Sequence, residues 1–596
     1  YTHEAILHPG GQAPMTIAKA RKSQAAHGVS VFEVRKVAGQ WGVIPTSPFG
    51  RRITANTPMK ISGPAAGHAL LKSKKYDIQP GGSTEIGLND GFSCNGTLNN
   101  CAHGYTPWGT YLTCEENWNG NFGTVTPPAY TPSKLENRYG VNAAGFGYNW
   151  NQVDPRFDIR VNPLETNLFG WVIEIDPFDP KSTPVKHTAL GRFKHESAQV
   201  AVGNDREVAY YQGDDERNEY VYKFVAAGKY DPANRTANMR LLESGTLHVA
   251  RFTSDAVPGA AGVYRGQWVA LKPDTIALNG MPLRDNPEFQ AATDAESQAL
   301  ILIKTRMAAD AVGATMMDRP EWTALRTYWD PNAVPGYGGY GPGRPLEIYC
   351  TMTNNNRRGN ATSASAPPAN APDGSTVAGT ANPAVDAANP RPDNDYGHII
   401  RWREDDNTPT ATGFEWDIFV LNGDTQAALH APNPKTLGAS YNPAGHDGYV
   451  GNIVDNPAGS CDFGAPDGLW FDAFGRMWIQ TDQAGDGAGD FQKVGSNTML
   501  CADPNTKEIR RFLTSPNKCE VTGLHMTPDG RTLFVGIQHP GEDSTAADPD
   551  QFSNWPQGQF PANSAGIALP NGPNRRPRSS IVVITKEDGG VIGGLG

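Results

Sequence analysis

Residues 170–197 read GWVIEIDPFDPKSTPVKHTALGRFKHES, and residues 496–521 read SNTMLCADPNTKEIRRFLTSPNKCEV. Both run strand, Asp-Pro turn, strand, then a basic residue, any residue and a glutamate. The continuations match as well. AVGNDREVAYYQGDD (201–215) and LHMTPDGRTLFVGIQHPG (524–541) are each a strand, a tight turn and a second strand. The later half of the unit recurs in PEWTALRTYWDP followed by PLEIYCTMTNNN, and in PDGLWFDAFGRMWIQTDQ. TPWGTYLTCEEN resembles one more second strand. Serial units of this kind predict an all-β fold, a β-propeller. Five fragments and one more for closure predict six blades, with SSIVVITKED (579–588) as a closing strand.

The rest of the chain fits that frame. The 66 glycines and 48 prolines call for many turns and few long helices. One helix is expected over 294–312, capped by Thr293 or Asp294, with Leu300, Ile303 and Met307 on one face. Residues 358–394 are rich in Ala, Pro, Ser and Asn and read as a surface insertion. Residues 1–90 read as an irregular segment packing on a propeller domain of 91–596. The net charge of −11 argues against sequence-independent nucleic-acid binding. No apolar run is long enough to span a bilayer. The seven cysteines include no Cys-x-x-Cys pair, which argues against a zinc ribbon. Proximity suggests Cys94–Cys101 and Cys461–Cys501 as disulfides; seven buried thiols is the equal alternative.

In a propeller blade the joint into the first strand and the end of the second strand lie on one face. Glu196, Glu321 and Glu520 occupy that joint in three units, each two residues after a base: Lys194, Arg319 and Lys518. The second strands end in Cys114-Glu115-Glu116, Asp214-Asp215-Glu216, Asn354-Asn355, Asp482 and Gln538-His539. All should converge on one channel mouth. Carboxylates that close repel one another, and bound cations relieve the repulsion. Oxygen ligands suit calcium, and a thiolate or imidazole suits a transition metal. His195 and Asp467 are read as structural, Asp467 as a turn residue in APDG. DQAGDGAGD (482–490) lacks EF-hand spacing and reads as a surface turn. No G-x-S-x-G, H-E-x-x-H or Walker motif is present in the sequence.

The stretches NCAHGYTPWGTYLTCEEN, GRFKHES, GDDERNEYVYKF, MDRPEW, YCTMTNN and CEVTGLHMTPDGRTLFVGIQHPGE resemble the PhoX-type bacterial alkaline phosphatases. The likeness runs from about residue 90 to 545. It implies a six-bladed propeller exported to the periplasm or beyond, commonly by the twin-arginine route, and taken here as a monomer. It implies hydrolysis of phosphate monoesters with broad specificity by a calcium (Ca2+) and iron (Fe3+) centre on the axis. Carried over, Cys114 resembles an iron ligand. Glu115, Glu196, Asp214, Glu321, Asp482 and Glu520 resemble the other metal ligands. Arg319 resembles the catalytic phosphate clamp, with Lys194 and His539 beside the substrate. Two alternatives stay open from the residues alone: a calcium-dependent lactonase-like propeller, and a non-catalytic, calcium-stabilised binding propeller.

Overall fold

Antiparallel β-units follow one another from residue 100 onward. A computed structural model of the chain describes residues 7–8, 10–328, 339–359, 382–423, 452–453, 463–483, 491, 494–556 and 576–593. The first unit comprises Asn100–Tyr105, Tyr111–Glu115, Val172–Ile175 and Val185–His187. The second comprises His195–Val202, Glu207–Asp214, Val221–Lys229 and Gly245–Ala256. The third comprises Pro320–Leu325, Glu347–Met352, His398–Glu404 and Gly413–Leu421. The fourth comprises Pro466–Phe471, Met477–Thr481, Thr498–Ala502 and Glu508–Thr514. Glu520–Met526, Leu533–Gln538 and Ser580–Ile584 make a three-stranded fifth, in which the strand of SSIVVITKED pairs with Leu533–Gln538. The strand Tyr264–Ala270 bonds to the outer strands of both the second and third units and ties them together.

The first strands of the five units abut one another in chain order. Burial explains their composition. Pro320–Leu325 is buried along its whole length and His195–Val202 at every residue but Gln199, because neighbouring units cover both faces. Their sequences are therefore continuous rather than alternating. Ser580–Ile584, at an outer edge, alternates between exposed and half-buried. Two glycines permit the close approach. A Cβ at Gly104 would fall 2.1 Å from the carbonyl oxygen of Ala198, and one at Gly213 would fall 2.1 Å from that of Glu321.

Three expectations change. The helix over 294–312 is two, Asp294–Ile303 and Thr305–Val312, broken at Lys304, whose φ of −108° and ψ of 38° leave the helical region. Thr293 caps the first, accepting a hydrogen bond from the Glu296 amide. Within residues 1–90, Pro58–Ser62 pairs in parallel with Val185–His187 and extends the first unit. Residues 360–381 of the Ala/Pro/Ser-rich stretch lie outside the described residues, but its flanks are core. Arg358, Asn389 and Arg391 are buried, and Arg358 Nε donates to Asp318 Oδ1 at 2.5 Å. Cys94 and Cys101 are free thiols, not a disulfide; Cys461 lies outside the described residues.

Candidate metal centre

The second residue of a unit's first strand is Cys101, Glu196, Glu321 or Asp467, and the first residue of the fifth unit's is Glu520. All five line one cavity of about 350 Å3 where the first strands meet. The backbone aims them in a common way. Asn99, Arg319, Ala465 and Lys518, each two residues earlier, have φ between 43° and 64°. This left-handed conformation costs a non-glycine residue about 1 kcal/mol or more and recurs where a site demands it. In the second unit Ser197, one residue after Glu196, takes the left-handed turn instead. Each first hairpin also carries a register shift: Thr113/Glu115, Glu196/Gln199, Pro320/Thr323, Pro466/Leu469 and Thr522/Leu524. Bulges of this kind re-aim side chains beside functional sites.

The second strands contribute what lies just past their last paired residue. Glu115 pairs with Asn100, Asp214 with His195, and Thr481 with Pro466. Glu116, Asp215 and Asp482 follow, and all three line the cavity. The acidic and thiol groups form three overlapping sets: Cys101, Glu116 and Glu196; Glu196, Glu321 and Asp467; Asp467, Asp482 and Glu520. Within each set the ligand atoms lie within 4.8 Å of one another, so each can hold a metal ion. Glu196 and Asp467 each belong to two sets.

The electrostatics show how strongly the groups are crowded. Burial, then Glu321 and Asp215, push Glu196 well above the usual carboxylate range. Burial, then Glu321 and Glu196, do the same to Asp467. Burial and Asp215 lift Glu321 to about 7 against the pull of Arg319. Burial would raise Asp215 too, but the Arg319 guanidinium outweighs it and holds it low. Glu196 Oε2, Asp467 Oδ1 and Asn100 Oδ1 are buried without a hydrogen-bond partner. Unsatisfied buried oxygens facing a crowd of carboxylates are the donor set a hard cation would complete.

The remaining site residues expected from the sequence divide clearly. Arg319 lines the main cavity and an adjoining one, which also holds Lys518, His539 and Arg217. His539 Nε2 lies 3.0 Å from Glu520 Oε1, and Gln538 Nε2 donates to Glu520 Oε2 at 2.6 Å. Four expected residues lie off the cavity. Cys114 is buried in the apolar core around Leu112 and Phe193. Glu115 accepts from Lys186 Nζ at 2.8 Å and from the Gly170 amide at 2.9 Å. Asp214 is held by Arg306, whose Nε donates to Oδ2 at 2.8 Å. Lys194 Nζ donates to Glu216 Oε2 at 2.9 Å, and its carbonyl accepts from the Asp215 amide. His195 is structural, as expected, stacked on Phe193 at 3.7 Å and bonded to the Gly191 carbonyl. The turn reading of Asp467 is overturned: it is buried at the cavity. Glu116, one of the strand-end residues expected at the mouth, does line the cavity, and so does Cys101, which the sequence reading did not place there although the repeated register points to it.

A family model described as alkaline phosphatase PhoX matches residues 1–541. Among solved structures, Pseudomonas fluorescens PhoX in complex with vanadate, a transition state analogue, is similar at 42% identity with a TM-score of 0.77. That match covers 100% of this chain and 85% of that one. No curated protein matches.

Proposed function

Because the chain belongs to the PhoX alkaline phosphatase family, it is a phosphomonoester hydrolase, and we propose that a row of bound cations on the axis serves that chemistry. The three overlapping ligand sets carry the reading. The first contains a thiol and suits iron; the other two offer only carboxylates and suit calcium. Cations there would supply Lewis acidity and an activated water. The chain's own residues do the rest. Glu196 and Asp467, shared between sets, fix neighbouring positions relative to each other. Arg319 stays cationic because Asp215, Glu321 and Asp482 outweigh the burial that opposes its charge. Its remaining N–H groups can bind phosphoryl oxygens as negative charge develops on them. His539 and Lys518 border the adjoining cavity, where a leaving group or second phosphate oxygen would find donors.

The reading also includes a propeller of six blades, closed around the axis on which the five first strands adjoin. Family membership supports export to the periplasm or beyond, and the single chain is read as a working monomer. No helix among the described residues is long and apolar enough to cross a membrane. The test pairs elemental analysis with p-nitrophenyl phosphate hydrolysis for wild type, Cys101→Ala and Cys114→Ala. Cys101→Ala should lose iron and activity together while Cys114→Ala keeps both. Iron and activity retained in Cys101→Ala would remove the thiol set from the centre.

A further inference from the structure

A third cavity, of about 540 Å3, lies on the outer strands of the first unit. Three of its wall residues are joined in a row. His187 Nδ1 lies 3.0 Å from Ser62 Oγ, and His187 Nε2 lies 2.8 Å from Glu174 Oε2. The protons follow from the partners. Glu174 Oε1 also accepts from Trp108 Nε1 at 2.7 Å and from Thr110 Oγ1 at 2.5 Å. Burial would raise the Glu174 pKa, but His187 and these donors bring it below its ordinary value. A carboxylate only accepts, so Nε2 carries a ring proton, and in the neutral ring Nδ1 presents its lone pair to the Ser62 hydroxyl, which also lies 3.4 Å from the Lys186 carbonyl. The order is nucleophile, base and orienting acid, with the two ring nitrogens exchanged relative to the common serine-hydrolase arrangement.

The positions are rigid and unequally sheltered. His187 and Glu174 are buried, whereas Ser62 is partly exposed at the end of its strand. Thr188 Oγ1 donates to the Ser62 carbonyl at 2.7 Å. Gly63, at φ 91°, packs so tightly on Thr188 that a Cβ there would meet Thr188 Oγ1 at 2.7 Å. Phe92, Val185 and Met239 give the cavity an apolar wall, and Lys60 and Arg240 are balanced by Asp176 and Glu243. That lining favours an uncharged substrate over a phosphate dianion.

We propose that Ser62, His187 and Glu174 form a second hydrolytic centre, independent of the axial one, for small neutral carboxylic esters. Ser62 Oγ adds to the ester carbonyl carbon as its proton passes to His187 Nδ1. The bond to the alkoxy oxygen breaks, and the alcohol leaves with that proton. Water then adds to the acyl carbon and gives a proton to Nδ1. The acyl–Oγ bond breaks, Ser62 recovers the proton, and the carboxylic acid departs. Glu174 stays ionised throughout and holds the ring.

The experiment treats the purified, metal-loaded protein with a fluorophosphonate probe and maps the adduct by peptide mass spectrometry. p-Nitrophenyl acetate hydrolysis is measured alongside in wild type, Ser62→Ala and His187→Gln, with phosphatase activity in the same preparations as the check on folding. The adduct should fall on Ser62. Ester hydrolysis should drop by about 100-fold in both variants, with phosphatase activity unchanged to within about twofold. Absence of an adduct on Ser62 in the wild-type protein, a readout that needs no variant, overturns the proposal. So does ester hydrolysis that Ser62→Ala leaves intact.

Discussion

Arg319 grips Asp215 with two parallel hydrogen bonds, Nε to Oδ1 at 2.6 Å and Nη2 to Oδ2 at 3.1 Å. The pair joins the joint of the third unit to the second-strand end of the second. It also leaves one whole edge of the guanidinium for a phosphate. Fork geometry matters here more than charge. Arg319→Lys should therefore lower kcat/KM by about 10- to 100-fold, a loss of about 1.4–2.8 kcal/mol of transition-state binding. Asp215→Asn should have a smaller effect, through a looser Arg319. Full activity retained in Arg319→Lys, read from steady-state kinetics, would show that charge alone matters.

Asp467 is common to two ligand sets and Glu116 belongs to one. Removing a shared ligand should empty more of the centre. Asp467→Ala is expected to lose more metal per chain than Glu116→Ala when both are dialysed against the same chelator and analysed for metals. Chelated wild type should melt lower than the loaded protein and recover on re-addition, because ligands that bind only the folded state stabilise it.

Glu115 is a strut rather than part of the cavity lining. It and Lys186 are fully buried against each other, with Leu168 contributing a second acceptor to the ammonium. Glu115→Ala leaves that ammonium buried with no counter-charge, which should cost about 3–5 kcal/mol of stability. Denaturant unfolding measures the loss. The folded fraction should keep its full metal content.

Several buried histidines make the protein acid-sensitive, His27 and His398 among them. Burial is the main reason that His27 is lowered to about 3 and His398 to about 4. Below about 6.5 the unfolded chain takes up protons at these residues and the folded chain does not. Their contribution is thus fully present above pH 6.5 and is lost as pH falls, at ~2 kcal/mol each by pH 5. Urea unfolding at pH 7.5 and pH 5 should show the decline. His27→Gln should make it shallower by the share of one residue, since His103, His195 and His248 are lowered by burial as well and keep their own proton uptakes.

The repeated β-units and the position of three glutamates were legible because strand, turn and joint recur in the same order. Cys101 and Asp467 occupy that same register but differ in residue type, so a search for glutamate passes over them. Asp467 also sits in a Pro-Asp-Gly string that reads locally as a turn. The second-strand ends failed by one residue twice. Glu115 and Asp214 are the last paired residues, and Glu116 and Asp215 are the first beyond the ladder. One step along a strand sends a side chain to the opposite side, and composition does not say where pairing stops. The break at Lys304 escaped for a related reason. Apolar periodicity runs through it, while contacts distant in sequence, such as the bond from Lys304 Nζ to the Glu288 carbonyl, are invisible to that pattern.

The cavity draws its acidic and thiol lining from Cys101 in the first unit through to Glu520 in the fifth. A nascent chain synthesised as far as residue 480 therefore contains Cys101, Glu116, Glu196, Glu321 and Asp467 but neither Asp482 nor Glu520. Such a nascent chain already holds two complete ligand sets and lacks the third. Metal capture can thus begin before synthesis ends, but the full centre exists only after the fifth unit has folded against the fourth. The hairpin of the fifth unit is the one that completes the ligand sets.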